Sequence, residues 1–438
     1  MRDTLCLKIK TFIDEKYLSL RLEGAEGLET FAVRSEGKLI TTLQSKTFRI
    51  DLQSPFFRDV GFSSKNLCGD RLCLAALMVF APTFSAVATD ETQRSYFGIQ
   101  DRFPEFDKVT LCVDFEVSDA LKSIFRHVWM LPKLNIVSGK LNPQIPREPK
   151  KSGYTSIPWG GGLDSTAALI LFEDMPFCTP YTVARAPCPK VEKLKYPHNF
   201  EVSIVETNCK LLYSDQGWPI WTAPVIPALI RGDTLCSPGT TNGSLLSDGY
   251  RYRPHKNLWL SALEIAGLTM SLAHSVSEYT ASQIVYRRGL ARLICGTNCS
   301  EWGVSYKSLR KALYMASFDE DFYRDVQFLE SRGLVIDFDK PFTERSKFSM
   351  DVAEAVYHLQ GKLESASISN VSPKIDRFRK SWNIKAPLST QLSFVSDVPS
   401  SHLEYLKSAF RRQGIELMNS LDIDGFKSFD YTSQFPNA

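Results

Sequence analysis

The chain has 438 residues, more than one ordinary hydrophobic core accommodates, so about two or three domains are expected. Its 43% hydrophobic, 12% aromatic and 23% charged residues exclude a long disordered tract or a fibrous repeat, and a formal net charge of +3 gives no general signal for nucleic acid. The opening MRDTLCLKIK lacks the apolar core of a signal peptide and the most apolar run, 74–84, is too short to span a bilayer and holds Pro82, so a cytoplasmic protein with no membrane partner is expected.

Residues 5–9, 17–22 and 31–34 alternate or cluster apolar side chains over strand lengths, punctuated by Gly24, Gly27 and Gly37, which predicts an antiparallel sheet. The pattern turns helical over 72–84 and returns to strand at 109–117. Residues 119–129 read as an amphipathic helix starting at Ser118 or Asp119. In GKLNPQIPREPKKSG, over 139–153, three prolines remove both helix and ladder hydrogen bonds and mark a domain boundary.

After that boundary strand and helix take turns. Strands are predicted at 155–159, 181–186, 202–206, 234–237 and 268–273, with helices at 165–172, 258–266 and 280–289, the last starting near Ser277 or Thr280. Such alternation is the signature of a parallel sheet with helices on its faces. Helical stretches at 350–363 and 402–413 complete the chain. The expected architecture is α/β: an α+β accessory or partner-binding domain over 1–145, a domain with a parallel, doubly wound sheet over 152–335, and a helical extension over 336–438 packing on it.

Chemistry concentrates in IPWGGGLDSTAALIL, residues 157–171. A β-type run ends in Gly160, Gly161 and Gly162, and a helix is predicted to begin at Ser165 or Thr166. Glycines let the backbone approach an anion, successive N–H groups point into the turn, and the helix dipole adds positive potential. A purely structural alternative is a tight strand-to-helix connection with Asp164 or Ser165 as the N-cap. The pattern is neither the Walker loop, for which GxxxxGK[ST] is missing, nor the dinucleotide fingerprint, whose glycines are spaced.

GGGLDST closely resembles the SGGxDS loop of the PP-loop, or N-type, ATP pyrophosphatases, with Gly160 where that family usually carries Ser. Within the superfamily, the order of SPGTTNGS (237–244), SDGYRYRP (247–254) and SEYTASQIVYRRGL (277–290) is similar to 7-cyano-7-deazaguanine synthase. The resemblance covers roughly 156–316 and implies an adenine nucleotide α-hydrolase-like sheet, ATP and Mg²⁺. It also implies adenylation of a 7-deazaguanine carboxylate followed by attack of an amine. Proteins of this kind with an added N-terminal domain occur in bacterial antiphage systems, where the resemblance implies a base joined by an amide to the N-terminus of a partner protein.

Carried onto this sequence, the resemblance places ATP on Gly160, Gly161, Gly162, Asp164, Ser165, Thr166, Arg185, Gly239 and Thr240. Asn242, Asp248, Tyr250 and Arg253 fall to the base, and Asp164, Ser165, Arg253 and Lys307 to catalysis. Arg251 and Arg310 are further cations for phosphate charge, and Trp218 and Trp221 further platforms for a planar base. In ICGTNCSEWGVSYKSLRKALYM the synthase's zinc cysteines are replaced by Trp302, Ser305 and Ser308. Cys295 and Cys299 remain as remnants of a zinc site, and zinc is expected to be absent.

The ten cysteines are otherwise dispersed and read mostly as buried free thiols. The six histidines, His127, His198, His255, His274, His358 and His402, show no ligand pair and carry no assigned role. Two other outcomes stay open on the sequence alone. One is free 7-cyano-7-deazaguanine synthesis or another PP-loop amidation or thiolation; the other is a nucleotide-binding scaffold without catalysis.

Overall fold

The computed structural model describes residues 2–26, 30–32, 40–63, 66–88, 106–127, 131–145, 153–176, 178–195, 198–213, 223–237, 258–270, 278–295, 303–336, 350–381 and 400–415. The chain forms two compact units. One comprises Met1–Trp159, Phe177–Cys236 and Lys256–Met270; the other comprises Gly160–Pro176, Ser237–His255 and Ser271–Ala438.

The first unit holds two five-strand sheets, which lie on either side in sequence of the proline-rich segment read as a boundary. In β1 (Arg2–Ile13), Leu7, Ile9 and Thr11 are buried while Lys8, Lys10 and Phe12 face out, and β2 (Tyr17–Glu23) buries Leu18, Leu20 and Leu22. This period of two is what a half-buried sheet requires. A separate pair is formed by β3 (Thr30–Ala32) and β4 (Ile40–Thr42). With β5 (Thr47–Asp51), β6 (Phe106–Val113) and β7 (Leu134–Ser138), the first sheet has the order β5-β2-β1-β6-β7.

That sheet is mixed, which corrects the antiparallel expectation. β2 pairs antiparallel with β1 and β5, but β1–β6 and β6–β7 are parallel. The reason lies in the connections: the helices Gly69–Val79 and Ala81–Ala88 intervene before β6, and Asp119–His127 intervenes before β7. Parallel neighbours need such helical crossovers, whereas hairpins suffice for antiparallel ones. Ser118 caps the third of these helices, its Oγ accepting from the Leu121 N–H at 3.2 Å.

The helical stretch expected over 72–84 is two helices bent by 78° rather than one. Pro82 is the second residue of the second helix, where its missing N–H is harmless, but within a continuous helix it would remove a ladder bond. Among the described residues no single helix is long and apolar enough to cross a membrane.

The second sheet is all parallel. It contains β8 (Thr155–Pro158), β9 (Cys178–Val183), β10 (Ser203–Val205), β11 (Leu235–Cys236) and β12 (Thr269–Met270), in the order β10-β9-β8-β11-β12. Every residue of β8 is buried, as expected of a central strand with both faces covered.

The second unit is helical. Leu163–Leu171 packs against Glu278–Arg287 and Ser400–Arg412, and Glu278–Arg287 against Tyr306–Ala316 and Met350–Leu359. Of Leu163–Leu171 only Asp164 escapes burial, the pattern of a helix surrounded on all sides. The carboxyl ends of three helices converge: Arg288 Nη2 lies 2.9 Å from Glu173 Oε2, Arg412 Nη2 lies 2.6 Å from Asp174 Oδ2, and Arg287 donates to the Gln413 carbonyl. Leu163–Leu171 and Glu278–Arg287, packed along their lengths with their carboxyl ends paired, therefore run in the same direction.

Candidate functional site

Strand order in the parallel sheet reverses at β8: the chain moves outward through β9 and β10, then crosses to β11 and β12. In open parallel sheets ligands bind outside the carboxyl ends of the strands at this reversal. The carboxyl end of β8 leads through Trp159 directly into the glycine turn. Gly161 has φ +75°, a left-handed conformation that side chains strain, so glycine is required there. Gly160 is exposed and Gly161 buried.

The helix begins at Leu163, two residues earlier than expected, and its N-cap is Gly162 rather than Asp164 or Ser165. Gly162 holds an extended φ of −102° and ψ of 173°, and its carbonyl already accepts the Thr166 N–H at 3.1 Å. A glycine cap supplies no side-chain acceptor for the first-turn N–H groups, which leaves the positive end of the helix available to an anion.

Ser165 and Thr166 work on the turn itself. Ser165 Oγ accepts the Gly160 N–H at 3.1 Å and donates to the Gly162 carbonyl at 3.2 Å, and Thr166 Oγ1 donates to that carbonyl at 2.8 Å. Both hydroxyls are buried. Asp164, in the first turn, is half-buried.

Among the candidate cations, Arg185 is exposed two residues beyond the carboxyl end of β9 in the first unit. In the second unit, Lys307 is exposed in the first turn of Tyr306–Ala316, and Arg310, half-buried, lies 3.8 Å from Glu278 Oε2. Arg251, Arg253, Gly239, Thr240, Asn242, Asp248, Tyr250, Trp218 and Trp221 lie outside the described residues, as do Cys299 and Trp302.

The segment where the resemblance places cysteines is a helix start. Ser305 is the N-cap of Tyr306–Ala316, accepting from the Ser308 N–H at 3.2 Å, and the two hydroxyls meet at 2.8 Å. Cys295 is buried, and burial pushes its thiol up to about 12. No cluster of three or more His, Cys, Asp or Glu residues able to hold a metal occurs among the described residues. All nine described cysteines are free of disulfides.

Two arrangements were not singled out from sequence. In the first unit, Arg231 forms a bidentate ion pair with Asp233, Nε to Oδ1 at 2.7 Å and Nη2 to Oδ2 at 2.9 Å, both side chains fully buried. Arg231 Nη1 also donates to the Phe56 carbonyl at 3.0 Å, and the guanidinium stacks 3.7 Å from the Phe56 ring. Arg71 joins this core, reaching the carbonyls of Asp233, Ala266 and Gly267. Burial pushes the Asp233 carboxyl up against the opposing pull of Arg231. The pair precedes β11, at the edge of the sheet opposite to the carboxyl ends, so its role is structural. The sequence signal was IPALIRGD, with proline inside the helix start and Gly232 at the left-handed C-cap, φ +90°.

The other arrangement is Glu354 and His358, spaced i,i+4 on Met350–Leu359, with Oε1 and Nε2 2.8 Å apart. Glu354 is buried, the His358 side chain is 41% exposed, and the imidazole stacks on Tyr279 at 6.2 Å and 10°. A Glu-x-x-x-His spacing on one helix face is visible in MDVAEAVYHL.

Compared with protein-family models, with curated proteins and with solved structures, the chain matches none.

Proposed function

We propose that the chain is an adenylating PP-loop ATP pyrophosphatase that couples a 7-deazaguanine carboxylate to an amine, the N-terminus of a partner protein being the acceptor. The observation that carries this reading is the position of the glycine turn. It leaves the strand at which the parallel sheet reverses its order, passes through left-handed Gly161, and enters a helix capped by a glycine. Those are the requirements of an anion cradle at a nucleotide-binding edge.

In this reading the carboxylate attacks the α-phosphorus of ATP, pyrophosphate departs, and an amine then displaces AMP from the acyl adenylate. Turn and helix N–H groups hold the phosphates, while Ser165 and Thr166 fix the turn's shape by their hydrogen bonds to its backbone. Asp164, the one residue of its helix that is not buried, is the carboxylate that would face Mg²⁺ through water, and the ion would supply neutralisation of triphosphate charge there. Lys307 and Arg253 are assigned to the phosphates; the antiphage setting and the base contacts rest on the family resemblance.

The test is incubation with ATP and 7-carboxy-7-deazaguanine, reading pyrophosphate, together with intact mass spectrometry of proteins encoded beside the gene. Pyrophosphate release and a deazaguanine-sized increment on a neighbour are expected. Accumulation of the free nitrile would instead assign the biosynthetic outcome.

A further inference from the structure

The outer face of the first sheet, within the first unit, is open to solvent. On β1, Lys8, Lys10 and Phe12 alternate with buried Leu7, Ile9 and Thr11, and on β2, Tyr17, Ser19 and Arg21 alternate with buried Leu18, Leu20 and Leu22. Phe12 is 50% exposed, and the side chains of Lys10 and Arg21 are 51% and 56% exposed. The near-neutral charge of the whole chain hides this face, because acids elsewhere cancel its cations.

Strand register fixes how these side chains are arranged. Phe12 lies opposite Ser19, and Ser19 opposite Arg49 of β5, while Lys10 lies opposite Arg21 in the next row. Tyr17 is diagonal to Phe12 across the same two strands, about 7–8 Å away and within reach of an aromatic ring. Like charges directly opposed across strands destabilise a sheet. Lys10 and Arg21 are so opposed, and a single carboxylate, Glu23, serves both at 3.1 and 3.9 Å. The other acid that β1, β2 and β5 bring to this face is Asp51, opposite Tyr17, against the cations Lys8, Lys10, Arg21 and Arg49. At the β1–β2 turn, the Asp14 carboxylate is spent on the Lys16 and Tyr17 N–H groups.

We infer that this face binds a single strand of nucleic acid, its phosphates on Lys8, Lys10, Arg21 and Arg49 and its bases stacked on Phe12 and Tyr17. Cations alone suit any acidic partner, and one exposed phenylalanine is ordinary. Two rings set among cations on neighbouring strands are what unpaired bases need, and an open sheet presents them side by side. Phosphates and ring faces are common to RNA and DNA, so the surface takes either strand. A duplex keeps its bases stacked inside and offers the rings nothing. The inference is independent of the adenylating reading.

The test is fluorescence anisotropy of the full chain with labelled oligouridylate, oligothymidylate and a mixed-sequence duplex at about 50 mM salt. Both single strands should bind, and the duplex about 10-fold more weakly. Phe12→Ala should weaken single-strand binding about 10-fold. Arg21→Gln should weaken it too, and should make the fall of log affinity with log salt shallower by about 0.7, the share of one phosphate contact. Both side chains are exposed, so neither variant should shift the melting temperature, which checks that they fold. No binding by the wild type, equal binding of the duplex, or both variants binding as wild type would overturn the inference. Polyglutamate competing as well as unlabelled oligonucleotide would assign an acidic protein segment to the face and overturn it too. ATP turnover is not part of the readout, so the result stands whether or not adenylation is found.

Discussion

Gly160 donates its backbone N–H to Ser165 Oγ at 3.1 Å, so the hydroxyl that the sequence offers to phosphate is spent on shaping the glycine turn. Ser165→Ala removes this bond and the one to the Gly162 carbonyl. The expected cost is about 1–2 kcal/mol in stability, at roughly 1 kcal/mol per neutral hydrogen bond. ATP affinity should also weaken, which thermal denaturation with and without nucleotide would measure.

The glycines of the turn are not equivalent. A Cβ on Gly160 would meet only Ser165 Oγ at 3.8 Å, an ordinary contact, so Gly160→Ser should leave the melting temperature unchanged and, on the proposed PP-loop reading, tighten ATP binding through the added hydroxyl. Gly161, at φ +75°, is different. Gly161→Ala should cost about 1–2 kcal/mol in backbone strain and reshape the cradle, with loss of ATP binding by calorimetry.

Arg231 and Asp233 are fully buried partners, and removing one leaves the other charged and unpaired. Asp233→Ala should destabilise the protein by about 3–5 kcal/mol in denaturant titration. The double change Arg231→Met with Asp233→Leu should recover most of that loss, because it removes the uncompensated charge along with the pair.

Burial raises the Cys295 thiol from 9.0 to about 12. Between those values the folded thiol keeps its proton while the unfolded one has lost it, so this group's contribution to stability is intact below pH 9 and falls as pH rises toward 12. At pH 8 the native chain should leave Cys295 unmodified by iodoacetamide, and the denatured chain should not, as peptide mass mapping would show.

Much of the parallel sheet was legible in the sequence because glycine and proline punctuate short apolar runs there; β8, β10 and the helices after 163 and 258 all lie within two residues of expectation. Less legible was anything set by long-range pairing. The parallel partners of β1 are over a hundred residues away in β6, and no local pattern in 2–13 distinguishes them from a hairpin. The glycine turn announced itself, but its cap did not. Asp164 and Ser165 have the higher capping preference, yet the helix already starts at Leu163 and Gly162 takes the cap position with an extended backbone. Glu354 and His358 show helical spacing in sequence, but the stacking of His358 on Tyr279, some eighty residues away in the chain, does not.

Cleavage of ATP between its α and β phosphates is the central claim, and the fate of α-labelled ATP tests it most directly. With 7-carboxy-7-deazaguanine and Mg²⁺ present, the wild-type chain should convert the label to AMP with stoichiometric pyrophosphate, and Gly161→Ala should not. Label appearing in ADP, or no turnover by the wild-type chain with the carboxylate and amine both supplied, would contradict the account.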